Sequence, residues 1–193
     1  MPGSWTTENT EFDFGGINHL ALVSSDMART VDFYTNVLGM PLIKTLEIPG
    51  GGQHFFFDVG NGTSLAFFWF ADAPPKAPGI AAAGHMPGQG GIVSAHGSMN
   101  HVAFDVAPEN FDAYVERLKE KGVEVSAVLN HDNSERTISA EVTDDVFVRS
   151  VYFWDPDGVL LEFAAWTSAL GGPDDVKHEP ADAHGNRLAR SAT

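Results

Sequence analysis

Two histidines and one glutamate have the residue types and positions that suit a metal centre. His19 and His101 each follow an asparagine at the start of a short apolar run, and the second run, NHVAF, repeats the first, NHLAL. Glu162 is the only charged residue in the apolar run 159–166. A carboxylate buried without a partner costs several kcal/mol, so Glu162 needs a cation or strong hydrogen-bond donors nearby. We therefore predict that His19, His101 and Glu162 bind one metal ion.

Alternation along the two histidine strands supports this prediction. Leu20 and Leu22 lie on the face opposite to His19, and the second run repeats the arrangement around His101. Because these aliphatic faces would pack under helices, both imidazoles should point to the other, concave side.

No cysteine is present. Three ligands of this kind leave positions open for substrate and dioxygen, which favours non-haem Fe(II), while Mn²⁺, Zn²⁺ and Ni²⁺ also suit the site.

The elements that would position these residues form two copies of one βαβββ unit, which predicts an α+β fold. In the first copy, a strand over 16–24 leads into a helix with Asp26 as its N-cap and Gly39 at its end. In the second copy, Pro108 lies in the first turn of the helix and Gly122 follows it. Further strands are predicted at 42–48, 55–59, 65–70, 123–129, 137–142, 146–154 and 159–166.

Changes in composition divide the chain. We predict an N-terminal arm over residues 1–15, the first module over 16–70 and the second module over 99–166. Residues 71–98 are rich in Gly, Pro and Ala and are expected to be a connection that covers the site as a lid. Residues 167–193 are a polar C-terminal tail.

The charge of the chain limits its partners. Asp and Glu number 26 against 11 Lys and Arg, for a formal net charge of −15. This charge argues against binding to nucleic acid or to an anionic membrane surface. We find no signal-peptide pattern and no apolar stretch of transmembrane length, so a cytoplasmic protein is expected. Exposed sheet edges make a homodimer plausible.

The repeated Asn-His motifs and the closing segment VYFWDPDGVLLEF resemble the vicinal-oxygen-chelate superfamily. That superfamily includes glyoxalase I, fosfomycin and bleomycin resistance proteins, methylmalonyl-CoA epimerase and extradiol ring-cleaving dioxygenases. The resemblance covers residues 16–166. It implies that the two modules wrap eight strands into an open cup around a metal held by His19, His101 and Glu162.

Within this superfamily the sequence is most similar to the extradiol dioxygenases. Lyases and epimerases often carry a fourth, acidic ligand in the first module, and aligning Gly62 with Gly158 places Ala66 at that position. The segment from Tyr152 to Glu162 is similar to the extradiol signature, in which the tyrosine bonds to the substrate or the reacting oxygen. By this resemblance Tyr152 is a catalytic residue.

The acid/base residue is less well defined. The dioxygenases usually carry a histidine before the second metal-binding histidine, and His96 is the nearest in sequence to His101. We therefore expect His96 to be catalytic, with His54, His85 and His131 as alternatives.

The sequence therefore leads to one main hypothesis and two alternatives. The first is an Fe(II)-dependent dioxygenase that cleaves a catechol-like ring, with an aromatic substrate that binds the metal through two adjacent oxygens, and with dioxygen as co-substrate. The second is a lyase, isomerase or epimerase that uses the metal without oxygen. The third is a small-molecule (antibiotic) binding protein that needs no metal.

Overall fold

The computed structural model describes residues 15–170 and 180–186. The chain separates into a unit of residues 16–168, which contains both predicted modules, and a unit formed by the two chain ends. Most of the predicted arm and tail lies outside the described residues. The described residues 180–186 contain a turn. In this turn the Asp182 carboxylate accepts hydrogen bonds from the backbone N–H groups of His184 and Asn186.

The first module follows the predicted βαβββ order. Its helix begins after Asp26, whose side chain accepts a hydrogen bond from the Arg29 backbone N–H at 3.0 Å, as predicted for an N-cap. The helix ends in a short π-helical turn before Gly39, which has a positive φ of 76°. The elements are β1 (His19–Ser24), α1 (Met27–Asp32) with the π-helical turn Phe33–Val37, β2 (Leu42–Ile48), β3 (Gly52–Gly60) and β4 (Thr63–Trp69).

The second module repeats this order with one additional short strand. Pro108 begins a turn of 3-10 helix that leads into the main helix, which buries Phe111, Val115 and Leu118 as its spacing requires. The elements are β5 (Val102–Asp105), the 3-10 turn Pro108–Asn110, α2 (Phe111–Glu120), β6 (Leu129–Asp132), β7 (Ile138–Ser139), β8 (Val146–Trp154) and β9 (Leu160–Trp166).

The prediction of a strand over 123–129 is wrong for most of that range. The segment makes one β-bridge, between Val125 and Phe153, and β6 begins only at Leu129. Instead Asn130, His131 and Asp132, which lie beyond the predicted strand, belong to β6. Asp132 is buried and accepts hydrogen bonds from the backbone N–H and the hydroxyl of Ser134.

The α+β class and the two modules are confirmed. The strands form two separate sheets, ordered β1-β4-β3-β2 and β5-β9-β8-β6-β7, which do not close into one barrel. In each sheet the first strand of the module pairs in parallel with the last. Ala21 is opposite Ala66 in the first sheet, and Ala103 is opposite Glu162 in the second. The two modules therefore place Ala66 and Glu162 at equivalent positions.

The two modules pack together through the faces that carry the helices. One buried apolar cluster contains Phe57 and Phe67 of the first module together with Phe104 of the second. Alternation along β1 and β5 turns His19 and His101 away from this shared core. The faces that carry the two histidines are thus the outer faces of the packed pair. Among the described residues, no helix is long and apolar enough to cross a membrane.

The connection over residues 71–98 lies against the second module. It contains one β-bridge, between Pro78 and Ala82. Ala83 and Met86 are buried in a cluster with Tyr152 and Leu160. The connection therefore covers part of the histidine-bearing face of the second sheet.

The turn between β8 and β9 forms hydrogen bonds that join the second module to the first. Asp155 accepts two hydrogen bonds from backbone N–H groups of its own turn, and its Oδ2 accepts a third from the Tyr34 hydroxyl at 3.1 Å. The Asp157 carboxylate accepts hydrogen bonds from the Ser25 backbone N–H and from Arg29 Nη2, both at 3.0 Å. Burial raises the pKa of Asp155 to about 6, although the hydrogen bonds oppose this change.

Replacing Asp155 with Asn should remove a pH dependence of stability. Because the pKa of Asp155 is raised from 3.8 to about 6 on folding, the folded state binds more protons between these values and loses stability as the pH rises through them. We expect Asp155→Asn to match or exceed the stability of the wild type above about pH 7, by up to about 3 kcal/mol, and to lose this advantage near about pH 4. Urea unfolding across this range measures the difference. Parallel pH profiles for the two proteins would contradict the assignment.

Candidate functional site

The closest contact between predicted site residues joins His101 and Glu162. His101 Nε2 lies 3.1 Å from Glu162 Oε2. The two residues meet because β5 and β9 are parallel neighbours, with Ala103 opposite Glu162 and His101 on the same face as Ala103. Glu162 is 5% exposed, as predicted for an acid in a buried strand. The His101 side chain is 38% exposed, so the pair opens to one side.

The carboxylate of Glu162 is stabilised in its charged form. Burial alone would raise the pKa of Glu162, but the His101 contact and nearby polar groups outweigh burial, so the net pKa lies below the ordinary value. Ser150 Oγ contributes to this effect, but it forms no hydrogen bond of standard geometry with any described residue. The Ser150 hydroxyl therefore adds to the polar surroundings of the Glu162 carboxylate.

Tyr152 lies beside this pair. It is opposite Glu162 in the β8–β9 ladder, and its ring meets that of His101 edge to face with centroids 5.7 Å apart. Burial, with a further contribution from the Glu162 charge, raises the pKa of Tyr152 to about 12. The phenol therefore stays protonated at neutral pH and is available as a hydrogen-bond donor.

Both predicted metal-binding histidines are oriented by the asparagine that precedes them. Nδ1 of His19 lies 2.8 Å from Asn18 Oδ1, and Nδ1 of His101 lies 2.9 Å from Asn100 Oδ1. An amide oxygen can only accept, so each Nδ1 carries the proton of the hydrogen bond. Nε2 is then the nitrogen left to bind a metal in each case.

His19 does not join His101 and Glu162 within one chain. Over residues 15–170 and 180–186, no three His, Asp or Glu side chains lie close enough together to hold one ion. The expectation that one chain assembles the whole triad is therefore wrong, because the modules pack through their helical faces and turn the histidine faces outward. Whether these three residues are the ligands stays a prediction.

The surroundings of His19 contain a second histidine. The rings of His19 and His54 both contact Phe56, with centroids 5.7 Å and 4.4 Å away. His54 also stacks on Phe68, with centroids 3.7 Å apart. Its Nε2 is buried without a hydrogen-bond partner among the described residues, and burial, assisted by His19, lowers the pKa of His54.

The face of the first sheet around His19 is largely apolar and open to solvent, and Lys44, Asp58 and Ser64 share it. We refer to it as the open face, and it contains two histidines and a set of apolar side chains. Val23 is 51% exposed, Leu46 39% and Phe70 38%. An exposed apolar surface of this kind usually marks a site that binds a ligand or another protein. Its members are His19, Val23, Leu46, His54, Phe56, Phe68 and Phe70.

The other predicted acid/base histidines lie elsewhere. His96 is exposed in a turn of the connection, and no described hydrogen bond or ring contact joins it to Glu162. His85 packs against Gly90 in the same segment, and His131 lies in β6. The sequence contained a signal for His54, since the alternation HFF in β3 places it on the same face as Phe56.

Two cavities border these elements. The larger, about 720 Å³, lies on the helical side of the sheets between Leu20, Met40, Phe104 and Leu118 and does not reach Glu162. The smaller, about 260 Å³, lies under the connection and is lined by Lys76, His85, Met86, Trp154 and five further residues. Neither cavity is lined by His101 or Glu162.

Comparison with known proteins identifies the family. Residues 16–163 match the family model described as the Glyoxalase/Bleomycin resistance protein/Dioxygenase superfamily. The chain belongs to this superfamily. The resemblance inferred from the repeated motifs is therefore confirmed at the level of the superfamily.

Individual relatives differ in the activity that their names give. The metallothiol transferase FosB of Lysinibacillus sphaericus is 29% identical over 151 residues, which are 78% of this chain and 82% of the relative. A protein provisionally named ring-cleaving dioxygenase MhqE, from Bacillus subtilis, is 28% identical over 161 residues, which are 77% of this chain and 47% of MhqE.

Solved structures share the fold. A variant of the fosfomycin resistance protein FosX from Listeria monocytogenes, in complex with Mn(II) and a dihydroxypropylphosphonic acid, aligns with a TM-score of 0.51 at 21% identity. The alignment covers 82% of this chain and 96% of the FosX chain. At this level of identity the alignment shows that the two chains share a fold.

Removing His101 should destabilise the metal-free protein more than removing His19. In His101→Ala the buried Glu162 charge loses its partner, which costs about 1–3 kcal/mol. In His19→Ala an exposed side chain bonded only to its neighbour is lost, which costs at most about 0.5 kcal/mol. Urea unfolding with a chelator present, near neutral pH, measures both. Equal losses of stability in the two variants would show that the His101–Glu162 contact contributes little. The double variant His101→Ala, Glu162→Gln, which removes the buried charge, should recover part of the stability that His101→Ala loses.

Proposed function

We propose that this protein is a divalent-metal enzyme that activates a small, oxygen-bearing substrate. In this proposal His101 and Glu162 of one copy bind the metal together with His19 of a second copy. The observation that carries the proposal is the 3.1 Å contact between His101 Nε2 and Glu162 Oε2. Nδ1 of His101 already donates to Asn100, so the contact of Nε2 with the carboxylate is attractive in the metal-free protein only with a second proton between the two atoms, and a metal cation would take the place of that proton.

A second copy of the protein chain is needed because each module supplies only part of the ligand set. The second module supplies an imidazole and a carboxylate, while the first module supplies an imidazole on the apolar, solvent-exposed open face. Each half is short of the three ligands that a metal centre of this type uses. A symmetric dimer that places the open face of one copy over the His101–Glu162 pair of the other completes two equivalent sites and covers the apolar surface.

The residues of the chain then have separate roles. A bound divalent metal would polarise substrate oxygens and lower their pKa. Tyr152, protonated because its pKa is about 12, donates a hydrogen bond to a substrate oxygen beside Glu162. His54, whose lowered pKa keeps it neutral, is the proposed proton acceptor, and substrate binding would have to bring its buried, unpartnered Nε2 into contact with the substrate. Phe56 and Phe68 contact the apolar part of the substrate.

For the type of reaction we favour chemistry that needs no dioxygen. The relative FosB is named a metallothiol transferase, and FosX has been crystallised with Mn(II) and a phosphonic acid diol. Both suggest addition of a nucleophile to a small metal-bound electrophile, with Mn²⁺ as the first metal to test. Isomerisation or lyase chemistry uses the same charge stabilisation.

Ring cleavage with dioxygen and Fe(II) is the second candidate. It is favoured by Ala66, which leaves the site without a fourth acidic ligand, and by the position of Tyr152 beside His101 and Glu162. The aromatic side chains of the open face suit a planar substrate. MhqE, whose provisional name gives this activity, supports it more weakly because the alignment covers less than half of that protein.

Metal binding tests the ligand set directly. We expect the wild type to bind about one Mn²⁺ per chain, and His19→Ala, His101→Ala and Glu162→Gln each to lose more affinity than the roughly 10- to 100-fold effect of an outer-shell change. His96→Ala is the matched control and should bind as the wild type does. Calorimetric titration of chelator-treated protein measures all five. Wild-type affinity in any of the three ligand variants would remove that residue from the site.

A mixing experiment separates a shared site from a site within one chain. His19→Ala and Glu162→Gln chains are each expected to be inactive, but their mixed dimer contains one site with all three ligands. After unfolding and refolding together, about a quarter of wild-type metal sites should return if chains pair at random. No return of metal binding would contradict the shared site, even if each variant alone has lost its metal.

The two reaction types differ in their need for oxygen. The Mn²⁺ protein should convert small epoxide electrophiles such as fosfomycin, with water or a thiol as nucleophile, equally well in air and under argon. The Fe²⁺ protein should take up oxygen with a catechol panel only if the second candidate is correct. In either case His54→Ala should lower kcat by about 10²- to 10⁴-fold, while His96→Ala should leave it unchanged. Equal losses in the two variants would contradict the role of His54.

A further inference from the structure

Asn100 is held in place by the connection between the modules. Its side-chain Nδ2 donates hydrogen bonds to the Ile92 carbonyl oxygen at 2.6 Å and to Ser94 Oγ at 3.1 Å. Its backbone carbonyl oxygen accepts a hydrogen bond from the Ala83 N–H at 3.3 Å. Three points of the 71–98 segment therefore contact the residue that immediately precedes His101.

These contacts determine which way the Asn100 amide faces. A backbone carbonyl such as that of Ile92 can only accept, so the atom facing it is the amide nitrogen. The amide oxygen must then face His101 Nδ1, at 2.9 Å. Because that oxygen only accepts, Nδ1 of His101 carries a proton and Nε2 is the nitrogen on the Glu162 side.

We propose that Asn100 is a positioning residue through which the 71–98 segment selects Nε2 of His101 as the metal-binding nitrogen. The proposal rests on the proposed function, because it concerns the same metal site. In this proposal the 71–98 segment has two roles. It packs against Tyr152, and through Asn100 it fixes the hydrogen bond to Nδ1 of His101. A change in the position of this segment would thus change the strength of His101 as a metal ligand.

The first module provides an internal comparison. Asn18 contacts His19 Nδ1 in the same way, at 2.8 Å. Among the described residues, however, no side-chain hydrogen bond from the 71–98 segment reaches the Asn18 amide. In the part of the chain that the structure describes, the Asn18 amide orients His19 without a hydrogen bond from this segment, which makes Asn18 the matched control.

The test combines imidazole NMR with metal affinity in the full-length protein. In ¹⁵N-histidine protein without metal, the His101 Nδ1 proton should be visible because its hydrogen bond protects it from exchange. It should remain in Asn100→Asp, which keeps an acceptor oxygen, and in Asn18→Leu, and it should vanish in Asn100→Leu. The affinity for Zn²⁺, which permits NMR of the loaded protein, should fall about 10- to 100-fold in Asn100→Leu, and Zn²⁺ should shift the Nε2 signal of His101 in the wild type.

Two results would overturn this proposal. One is a His101 Nδ1 proton that stays protected in Asn100→Leu, whatever happens to the affinity for Zn²⁺. The other is loss of that proton with no change in Zn²⁺ affinity. A wild-type protein that binds no metal would instead overturn the proposed function, and the NMR signal would still decide whether Asn100 controls His101.

Discussion

The buried carboxylate of Glu162 is the constraint on which the rest of the site depends. It lies in β9, between β5 and β8 in the second sheet, where solvent reaches 5% of its surface. An ionised acid there is tolerated only with strong partners, and its lowered pKa indicates that His101 and its neighbours supply them. The register of β9 follows from this requirement, since a shift by one residue would turn Glu162 into the apolar core.

The two modules of the chain carry different parts of the proposed site. Both modules place an Asn-His pair at the same position, with the imidazole on the face away from the shared core. Only the second module has an acid in its last strand, and only the first leaves an open aromatic face around its histidine. These differences suit a site in which one module binds the metal more tightly and the other contacts the substrate, with the two drawn from different copies of the chain.

Much of this arrangement could be predicted from local sequence. The repeat around His19 and His101, the burial of Glu162 and the equivalence of Ala66 and Glu162 follow from strand alternation and turn glycines. The separation of His19 from His101 within one chain could not be predicted in this way, because the packing of two modules depends on contacts far apart in sequence, such as that between Tyr34 and Asp155. The hydrogen bonds from the connection to Asn100 have no periodic pattern, and nothing in the residues 71–98 indicated them.

One measurement tests the central claim most directly. Crystals of the Mn²⁺-loaded protein would be measured at the manganese absorption edge, and an anomalous difference map would locate the ion without reference to any assumed ligand. Our account predicts one peak per chain within bonding distance of His101 Nε2 and the Glu162 carboxylate, with His19 Nε2 of a second copy as the third protein ligand. A peak that excludes Glu162, or one that His101 and Glu162 bind with no histidine from another copy, would contradict it.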